Sequence, residues 1–306
     1  MSHANPSLLD RLGRWTLRRL GAQSLYFDAH GTKLHAYHLP PHPSAPPDAP
    51  PLVLMHGVGS SASTFARLLR RLRPHFSDIY LPEAPAHGQS AVPPSPMTPE
   101  ALFALVRELL DAVPRAPFVL YGNSLGGAAS FRYAIERPER VLALVLLSPA
   151  GAGTSADELK ALVETFELPT RASARRFMGR LFEHPRWYHG FAAGELRRRL
   201  HEPALREFFA GVGSDSTLDP SAVEHLPMPV LLMWGGAETL LPASNRAWFK
   251  AHLPPHATLS EPAHFAHSAY IEHPGDVARE ILGFLTKTKV LQAAPDAPEI
   301  DTARDA

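Results

Sequence analysis

The sequence of 306 residues contains no cysteine. Disulfide bonds, cysteine-based metal sites and thiol nucleophiles are therefore excluded for this chain. The absence of cysteine does not by itself identify a cellular compartment.

An excess of charge of either sign is also missing. Lysine and arginine together number 30, aspartate and glutamate together number 30, and the formal net charge is 0 with histidine neutral. A balanced chain gives no electrostatic reason to expect a nucleic acid as a partner, and we predict none.

Long apolar runs are absent as well. No stretch approaches the roughly 18 consecutive apolar residues that indicate a membrane span. Asp10, Arg11 and Arg14 interrupt the apolar core that a signal peptide would need, so we expect a cytoplasmic protein. Residues 1–22 are predicted to hold an amphipathic helix that packs on the domain, with contact of residues 8–20 with a membrane surface as the alternative.

What is present is an alternation of short apolar runs with helical patterns. Two runs on either side of D-A-H-G, at residues 23–27 and 33–38, predict an antiparallel hairpin. Further buried strands are indicated at residues 52–55, 79–81, 118–121, 141–147 and 230–234. Helical patterns lie between most of them, at residues 63–72, 99–113 and 125–135. This predicts an α/β fold with a mostly parallel central sheet and helices on both faces, which binds ligands beyond the carboxyl ends of its strands.

One long region departs from this alternation. Residues 153–222 contain no convincing strand pattern, and their helical segments are rich in arginine and aromatic residues. An insertion of this size at a strand end predicts a helical lid over the pocket, with a structural cap that has no gating role as the alternative. Residues 23–152 and 223–287 would then form the core, and residues 288–306 a flexible C-terminal tail.

The motif G-N-S-L-G at residues 122–126 carries the most chemical information. It follows the apolar run 118–121 and opens a helical pattern at Leu125. Gly122 and Gly126 leave room for a sharp strand-to-helix turn, which would hold Ser124 in a strained backbone geometry. The serine hydroxyl would then stand above the sheet at a helix N-terminus, which favours developing negative charge. This context predicts that Ser124 is a catalytic nucleophile.

Three segments together resemble the α/β-hydrolase family, over nearly the whole chain to about residue 287. They are the G-N-S-L-G-G segment, H-G-V-G-S at residues 56–60, and P-E-A-P-A-H-G-Q-S at residues 82–90. The last resembles the family's D-L-P-G-H-G-x-S, with Glu83 and Ala86 in place of the usual aspartate and glycine. Asn123 is similar to the form found in esterases and carbon–carbon-bond hydrolases. The resemblance implies an α/β-hydrolase fold and a serine hydrolase.

The resemblance also implies an oxyanion hole, in which backbone N–H groups stabilise negative charge on the substrate carbonyl oxygen. The donors would be the N–H groups of Leu125, after the serine, and Val58, in the loop at residues 56–60. Gly57 would keep that loop close to the substrate, and His56 would support the loop rather than act as the general base.

The remaining members of a triad follow the family order of nucleophile, acid and histidine. The segment W-G-G-A-E-T-L-L-P at residues 234–242 resembles the one that carries the acid, with Glu238 in the aspartate position. Asp215 and Asp219 are alternative acids. His267 fits the family spacing G-H-x-x-x-x-E-x-P, and His264 competes with it. The histidine that is not the base is expected to line the pocket or to pack beside the base.

These features together predict hydrolysis of a carboxylic ester or related apolar acyl compound, a small molecule, through an acyl-enzyme on Ser124. The alternatives are a carbon–carbon-bond hydrolase or an acyltransferase with the same site, and a non-catalytic binding protein on the same scaffold. The sequence has no H-E-x-x-H motif and no glycine-rich nucleotide motif after a strand. We therefore predict no metal and no cofactor.

Overall fold

The computed structural model describes residues 8–114, 116–187 and 189–292. Within these ranges the strands are β1 (Gln23–Ala29), β2 (Thr32–Leu39), β3 (Leu52–Met55), β4 (Ile79–Glu83), β5 (Phe118–Ser124), β6 (Val141–Pro149), β7 (Val230–Met233) and β8 (Thr258–Ser260). The α-helices are α1 (Leu8–Arg19), α2 (Ala66–Leu72), α3 (Pro99–Ala112), α4 (Leu125–Glu136), α5 (Ala156–Glu164), α6 (Arg171–Leu181), α7 (His189–Leu200), α8 (Pro203–Ala210), α9 (Pro220–Glu224), α10 (Ala243–His252), α11 (Ala269–Glu272) and α12 (Pro274–Lys287).

The strands form one sheet in the order β1-β2-β4-β3-β5-β6-β7-β8. The β1–β2 and β2–β4 pairs are antiparallel, and all the other neighbouring pairs are parallel. β1 and β2 are joined by His30 and Gly31, whose φ angles of 50° and 74° match the two positive values of a type I′ hairpin turn. The predicted mostly parallel sheet is confirmed, and β5 lies near its centre.

Helices cover both faces of this sheet, because successive residues of the buried strands enter two different hydrophobic cores. Leu52 and Leu54 of β3 belong to the core that is closed by α2 and α12, and Val53 and Met55 belong to the core that is closed by α3 and α4. Side chains alternate between the faces of a strand, so a strand covered on both faces is apolar at every position. This explains the continuous apolar runs in the sequence.

Between β6 and β7 the described residues form helices α5 to α9 and no strand. Aromatic side chains hold this region together: the Phe166 ring lies 5.2 Å from that of Phe177 in α6 and 4.8 Å from that of Phe209 in α8.

The two ends of the chain are only partly described. Of the predicted tail, residues 293–306 lie outside the described residues, as do residues 1–7 of the predicted N-terminal helix. Leu291, within the predicted tail, is buried in the same core as α12. Among the helices that the structure describes, none combines the length and the apolar character needed to cross a membrane.

Candidate active site

Ser124 is the last residue of β5 and directly precedes α4. Its backbone has φ 56° and ψ −124°, a left-handed geometry that residues with a side chain rarely adopt. The turn places the buried Ser124 side chain beyond the carboxyl end of a central strand, the position where α/β sheets bind ligands.

The turn around Ser124 is packed against the loop that follows β3. A β-carbon on Gly126 would lie 2.5 Å from the main-chain oxygen of His56 and 2.6 Å from that of Met55, so only glycine fits there. Gly57 approaches so closely that a β-carbon there would lie 3.1 Å from Cβ of Ser124. The backbone of this loop, which the sequence predicts to hold the oxyanion, is therefore adjacent to the serine.

His267 and Glu238 form a buried hydrogen-bonded pair. His267 lies in the loop after β8 and Glu238 in the loop after β7, and Nδ1 of the histidine is 2.8 Å from Oε2 of the glutamate. Their side chains are only 4% and 1% exposed. The other oxygen, Oε1, accepts hydrogen bonds from the N–H groups of Leu240 at 2.6 Å and Leu241 at 3.1 Å.

The surroundings of Glu238 keep it ionised. Burial raises the pKa of its carboxyl, but the charge of His267 and the hydrogen bonds to the carboxylate outweigh burial, and the pKa is lower than its ordinary value. An ionised Glu238 can hold a proton on Nδ1 of His267, which leaves Nε2 of the ring able to accept a proton.

Asn123 connects the serine turn to the histidine loop. Its side-chain amide donates to the main-chain carbonyl of His267 at 3.0 Å and to that of Leu147 in β6 at 2.9 Å. The residue before Ser124 thus helps to fix the position of His267.

Two buried histidines support the loop after β3. Nδ1 of His56 donates to the carbonyl of Gly57 at 2.9 Å, and its Nε2 accepts from the N–H of Ala84 at 3.3 Å. Nε2 of His87 accepts from the N–H of Gly59 at 3.0 Å, while its Nδ1 donates to the carbonyl two residues earlier at 2.8 Å. Burial lowers the pKa of both rings, that of His87 to about 3, so both are neutral supports of the loop.

Two chambers meet at Ser124. The larger chamber, of about 370 Å³, is lined by both Ser124 and His267, and the smaller chamber, of about 100 Å³, by Ser124, Val58 and Leu125. The larger one has a mixed lining that includes Ser60, Ser61, Ser63, Thr64, Phe177, Met178, Leu181, Glu195, Leu196 and Arg199. The smaller one is mainly apolar, with Phe103, Ala128, Leu159, Leu162, Val163, Phe208, Phe209 and Val212.

Leu125, the first residue of α4, lies where the N–H groups of a helix have no partner within the helix. Val58 lies in the loop after β3 and lines the smaller chamber together with Ser124 and Leu125. The two predicted oxyanion donors therefore belong to residues that line the same chamber as the serine.

His264 does not line either chamber among the described residues. Its Nε2 is 2.7 Å from Oδ2 of Asp276, on the first turn of α12. Of the two expectations for this histidine, lining the pocket does not match the two chambers, and packing beside the base stays a prediction. The alternative acids also lie elsewhere: Asp219 caps α9 through the N–H of Ser221, and Asp215 is exposed.

One group of described residues has donors suitable for a metal ion. Ligand atoms of His264, His273 and Asp276 lie within 4.8 Å of one another. The Asp276 carboxylate is already shared between His264 and Arg279, and Nε2 of His273 lies 3.3 Å from Glu183. We assign no metal to this group.

His87 and Arg199 lie beside the site but are not among the catalytic, oxyanion or supporting residues predicted from the sequence. Nη1 of Arg199, on α7, lies 3.3 Å from the carbonyl oxygen of Gly59 and 3.4 Å from that of Ser60. The only sequence signal for His87 is its place in the segment at residues 82–90, and Arg199 lies about 140 residues from the loop that it contacts.

A sequence model described as the alpha/beta hydrolase family matches residues 52–280. The chain belongs to the α/β-hydrolase family. It is accordingly an enzyme of the hydrolase type. This α/β hydrolase is 28% identical over 257 residues to pimeloyl-[acyl-carrier protein] methyl ester esterase from Aromatoleum aromaticum, a match that covers 75% of this chain and 95% of that protein.

Solved structures show the same fold. A membrane phospholipase A, described as a bacterial virulence factor, has a TM-score of 0.77 at 20% identity, over 93% of this α/β hydrolase and 92% of that chain. The 2-hydroxy-6-oxo-6-phenylhexa-2,4-dienoate hydrolase from Rhodococcus sp. strain RHA1 has a TM-score of 0.72 at 21% identity. This match covers 86% of the present chain and 98% of that chain. At these identities the likeness is one of fold.

Proposed function

We propose that this α/β hydrolase cleaves carboxylic esters, with Ser124 as nucleophile, His267 as general base and Glu238 as the acid that orients His267. The observation that carries the proposal is the buried His267–Glu238 pair, because its histidine lines the larger chamber together with Ser124. A histidine held by an ionised carboxylate can accept the proton that a serine must lose to become a good nucleophile.

The proposed reaction has two halves. Oγ of Ser124 attacks the ester carbonyl carbon, its proton passes to Nε2 of His267, and negative charge moves to the carbonyl oxygen. The N–H groups of Val58 and Leu125 would stabilise that oxygen. The ester C–O bond then breaks, and the alcohol leaves with the proton from His267. In the second half a water molecule gives a proton to Nε2 of His267 and attacks the acyl carbon. The bond from that carbon to Oγ of Ser124 then breaks, Oγ takes the proton back from His267, and the carboxylic acid leaves.

The chambers support an apolar substrate with one group on each side of the ester. The smaller, mainly apolar chamber suits a short hydrocarbon group, and the larger chamber has room and some polar lining for the other group. The name of the relative from Aromatoleum aromaticum, a methyl ester esterase, agrees with a small group on one side.

We further propose that residues 153–222 act as a lid on a core formed by residues 23–152 and 223–287. Met178 of α6 and Leu196 of α7 line the larger chamber, and Phe208 of α8 lines the smaller one. A substrate would reach Ser124 past these helices, which would also limit the access of water.

The test is labelling with a fluorophosphonate, which modifies activated serines, followed by peptide mapping and assays on a panel of esters. We expect modification of Ser124 in the wild type and none in Ser124→Ala. Labelling should be lost in His267→Ala and kept in His264→Ala. His264 is a matched control because it lies in the same loop but pairs with Asp276 outside the chambers.

Three results would contradict the proposal or a part of it. A folded wild type that stays unlabelled would favour a non-catalytic binding protein. Loss of labelling in His264→Ala with full labelling in His267→Ala would reverse the roles of the two histidines. If Ser124 is labelled but no ester is hydrolysed, the ester assignment fails, and carbon–carbon-bond cleavage or acyl transfer at the same site becomes the better description.

A further inference from the structure

Helix α1 turns an apolar stripe away from the protein. Leu8, Leu12 and Trp15 are 80%, 56% and 55% exposed, and their spacing of four and three residues places them on one side of the helix. Leu17, on the opposite side, is fully buried in the core with α2 and α12, so the helix is anchored with this stripe outward.

The same helix concentrates positive charge. It holds four arginines and one aspartate, a formal charge of +3, in a chain whose formal net charge is 0. Arg11 and Arg18 are exposed beside the stripe, and the Arg19 guanidinium lies 5.1 Å from the centre of the Trp15 ring. The neighbouring α2 adds further exposed arginines.

We propose that α1 is a docking surface for an anionic lipid membrane, on which it lies flat. Twelve residues span about 18 Å as a helix, too short to cross a bilayer core of about 30 Å. Leucine and tryptophan side chains enter the boundary between headgroups and acyl chains, while arginines pair with lipid phosphates. A second copy of the chain fits this face less well, because a symmetric contact would set the arginines of both helices against each other.

The position of α1 connects this surface to the cavity. The helix packs on the short segment Ala62–Phe65, where a β-carbon on Gly13 would lie 2.5 Å from Cβ of Ser63. Ser63 and Thr64 of that segment line the larger chamber. A membrane bound by α1 therefore lies close to one wall of this chamber. The inference does not depend on the proposed ester chemistry.

The test is flotation of the full-length protein with vesicles, either of phosphatidylcholine alone or of equal parts phosphatidylcholine and phosphatidylglycerol. We expect the wild type to float with the anionic vesicles only. Leu12→Glu and Trp15→Glu should each lower the partition coefficient at least about tenfold, since each removes an inserted apolar side chain. Arg11→Gln and Arg18→Gln should each lower it about fivefold.

Leu142→Glu is the matched control. Leu142 is also an exposed leucine, but it lies at the start of β6, whereas the site lies beyond the carboxyl ends of the strands. Leu142→Glu should therefore float with anionic vesicles as the wild type does. Failure of the wild type to float with anionic vesicles, or equal flotation of Leu12→Glu, Trp15→Glu and the wild type, would overturn the proposal. A third result would also overturn it: the wild type is a dimer in solution, Leu12→Glu is a monomer, and neither the wild type nor Leu12→Glu floats with vesicles. The apolar stripe would then be an interface between two copies of the chain.

Discussion

The carboxylate of Glu83 occupies the space next to Gly88 in which a β-carbon would lie. Glu83 is buried, and it accepts hydrogen bonds from the N–H of Gln89 at 2.7 Å and of Ala62 at 3.3 Å. Its Oε2 also lies 2.9 Å from Nδ1 of the buried His35. The glutamate that replaces the family's usual aspartate therefore ties the end of β4 to two loops, and it does so only because residue 88 has no side chain.

Gly88→Ala should be strongly destabilising. Gly88 has φ 56°, so an alanine there adds the cost of a left-handed backbone to a collision with Glu83. We expect the free energy of unfolding to fall by about 3 kcal/mol, measured by urea denaturation.

Gly31→Ala separates the two causes. Gly31 has φ 74°, but no atom lies within 4 Å of the position of an added β-carbon. Only the backbone cost applies, and the loss should be about 1 kcal/mol. Equal losses for the two variants would show that Glu83 does not fill the space beside Gly88.

The choice between His264 and His267 shows where prediction from sequence ends. The strands, the turn at Ser124 and the family could be predicted because they rest on local patterns. The two histidines are three residues apart in one loop, and Phe265, whose side chain is fully buried, lies between them in the sequence. His264 then reaches Asp276 and His267 reaches Glu238. Such long-range partners follow from packing, which local sequence patterns do not encode.

Glu238→Gln should abolish most of the proposed ester hydrolysis. The amide removes the charge that stabilises a protonated His267 and can turn a donor toward Nδ1, which favours the wrong tautomer. We expect kcat to fall by about 10³-fold or more in a steady-state ester assay. Asp276→Asn is the matched control, because it changes the same kind of histidine–carboxylate pair at His264, and its kcat should equal that of the wild type. Equal effects of the two substitutions would remove Glu238 from the mechanism.

Arg199 should act as a positioning residue for the loop after β3, which holds the proposed oxyanion donor Val58. Its guanidinium contacts the carbonyls of Gly59 and Ser60 and pairs with Glu195 at 2.9 Å. Arg199→Gln shortens this link between α7 and the loop that carries Val58, so kcat/KM for an ester should fall about tenfold, mainly through kcat.

Arg198→Gln is the control for this substitution. Arg198 lies next to Arg199 on the same helix and forms ion pairs with Glu195 and Glu202. It lines neither chamber, and we expect unchanged kinetics. A comparable loss of kcat in both variants would mean that the charge of α7, rather than the contact with the loop, matters.

The neutral state of His87 predicts a loss of stability in acid. Its pKa is lowered from 6.5 to about 3 because the ring is buried, so between these values the unfolded chain binds a proton that the folded chain does not. The contribution of the neutral His87 ring to the free energy of unfolding is complete above pH 6.5 and is lost as the pH falls toward 3. This residue alone changes that free energy by at most about 1.4 kcal/mol per pH unit. His56, whose pKa burial also lowers, acts in the same direction.

Urea denaturation across this pH range should show that the free energy of unfolding changes less steeply with pH in His87→Gln than in the wild type. Glutamine can still accept the hydrogen bond from Gly59, but it does not titrate. An unchanged slope would mean that His87 binds its proton equally well in the folded and unfolded chain, and that its ring is not the neutral support of the loop.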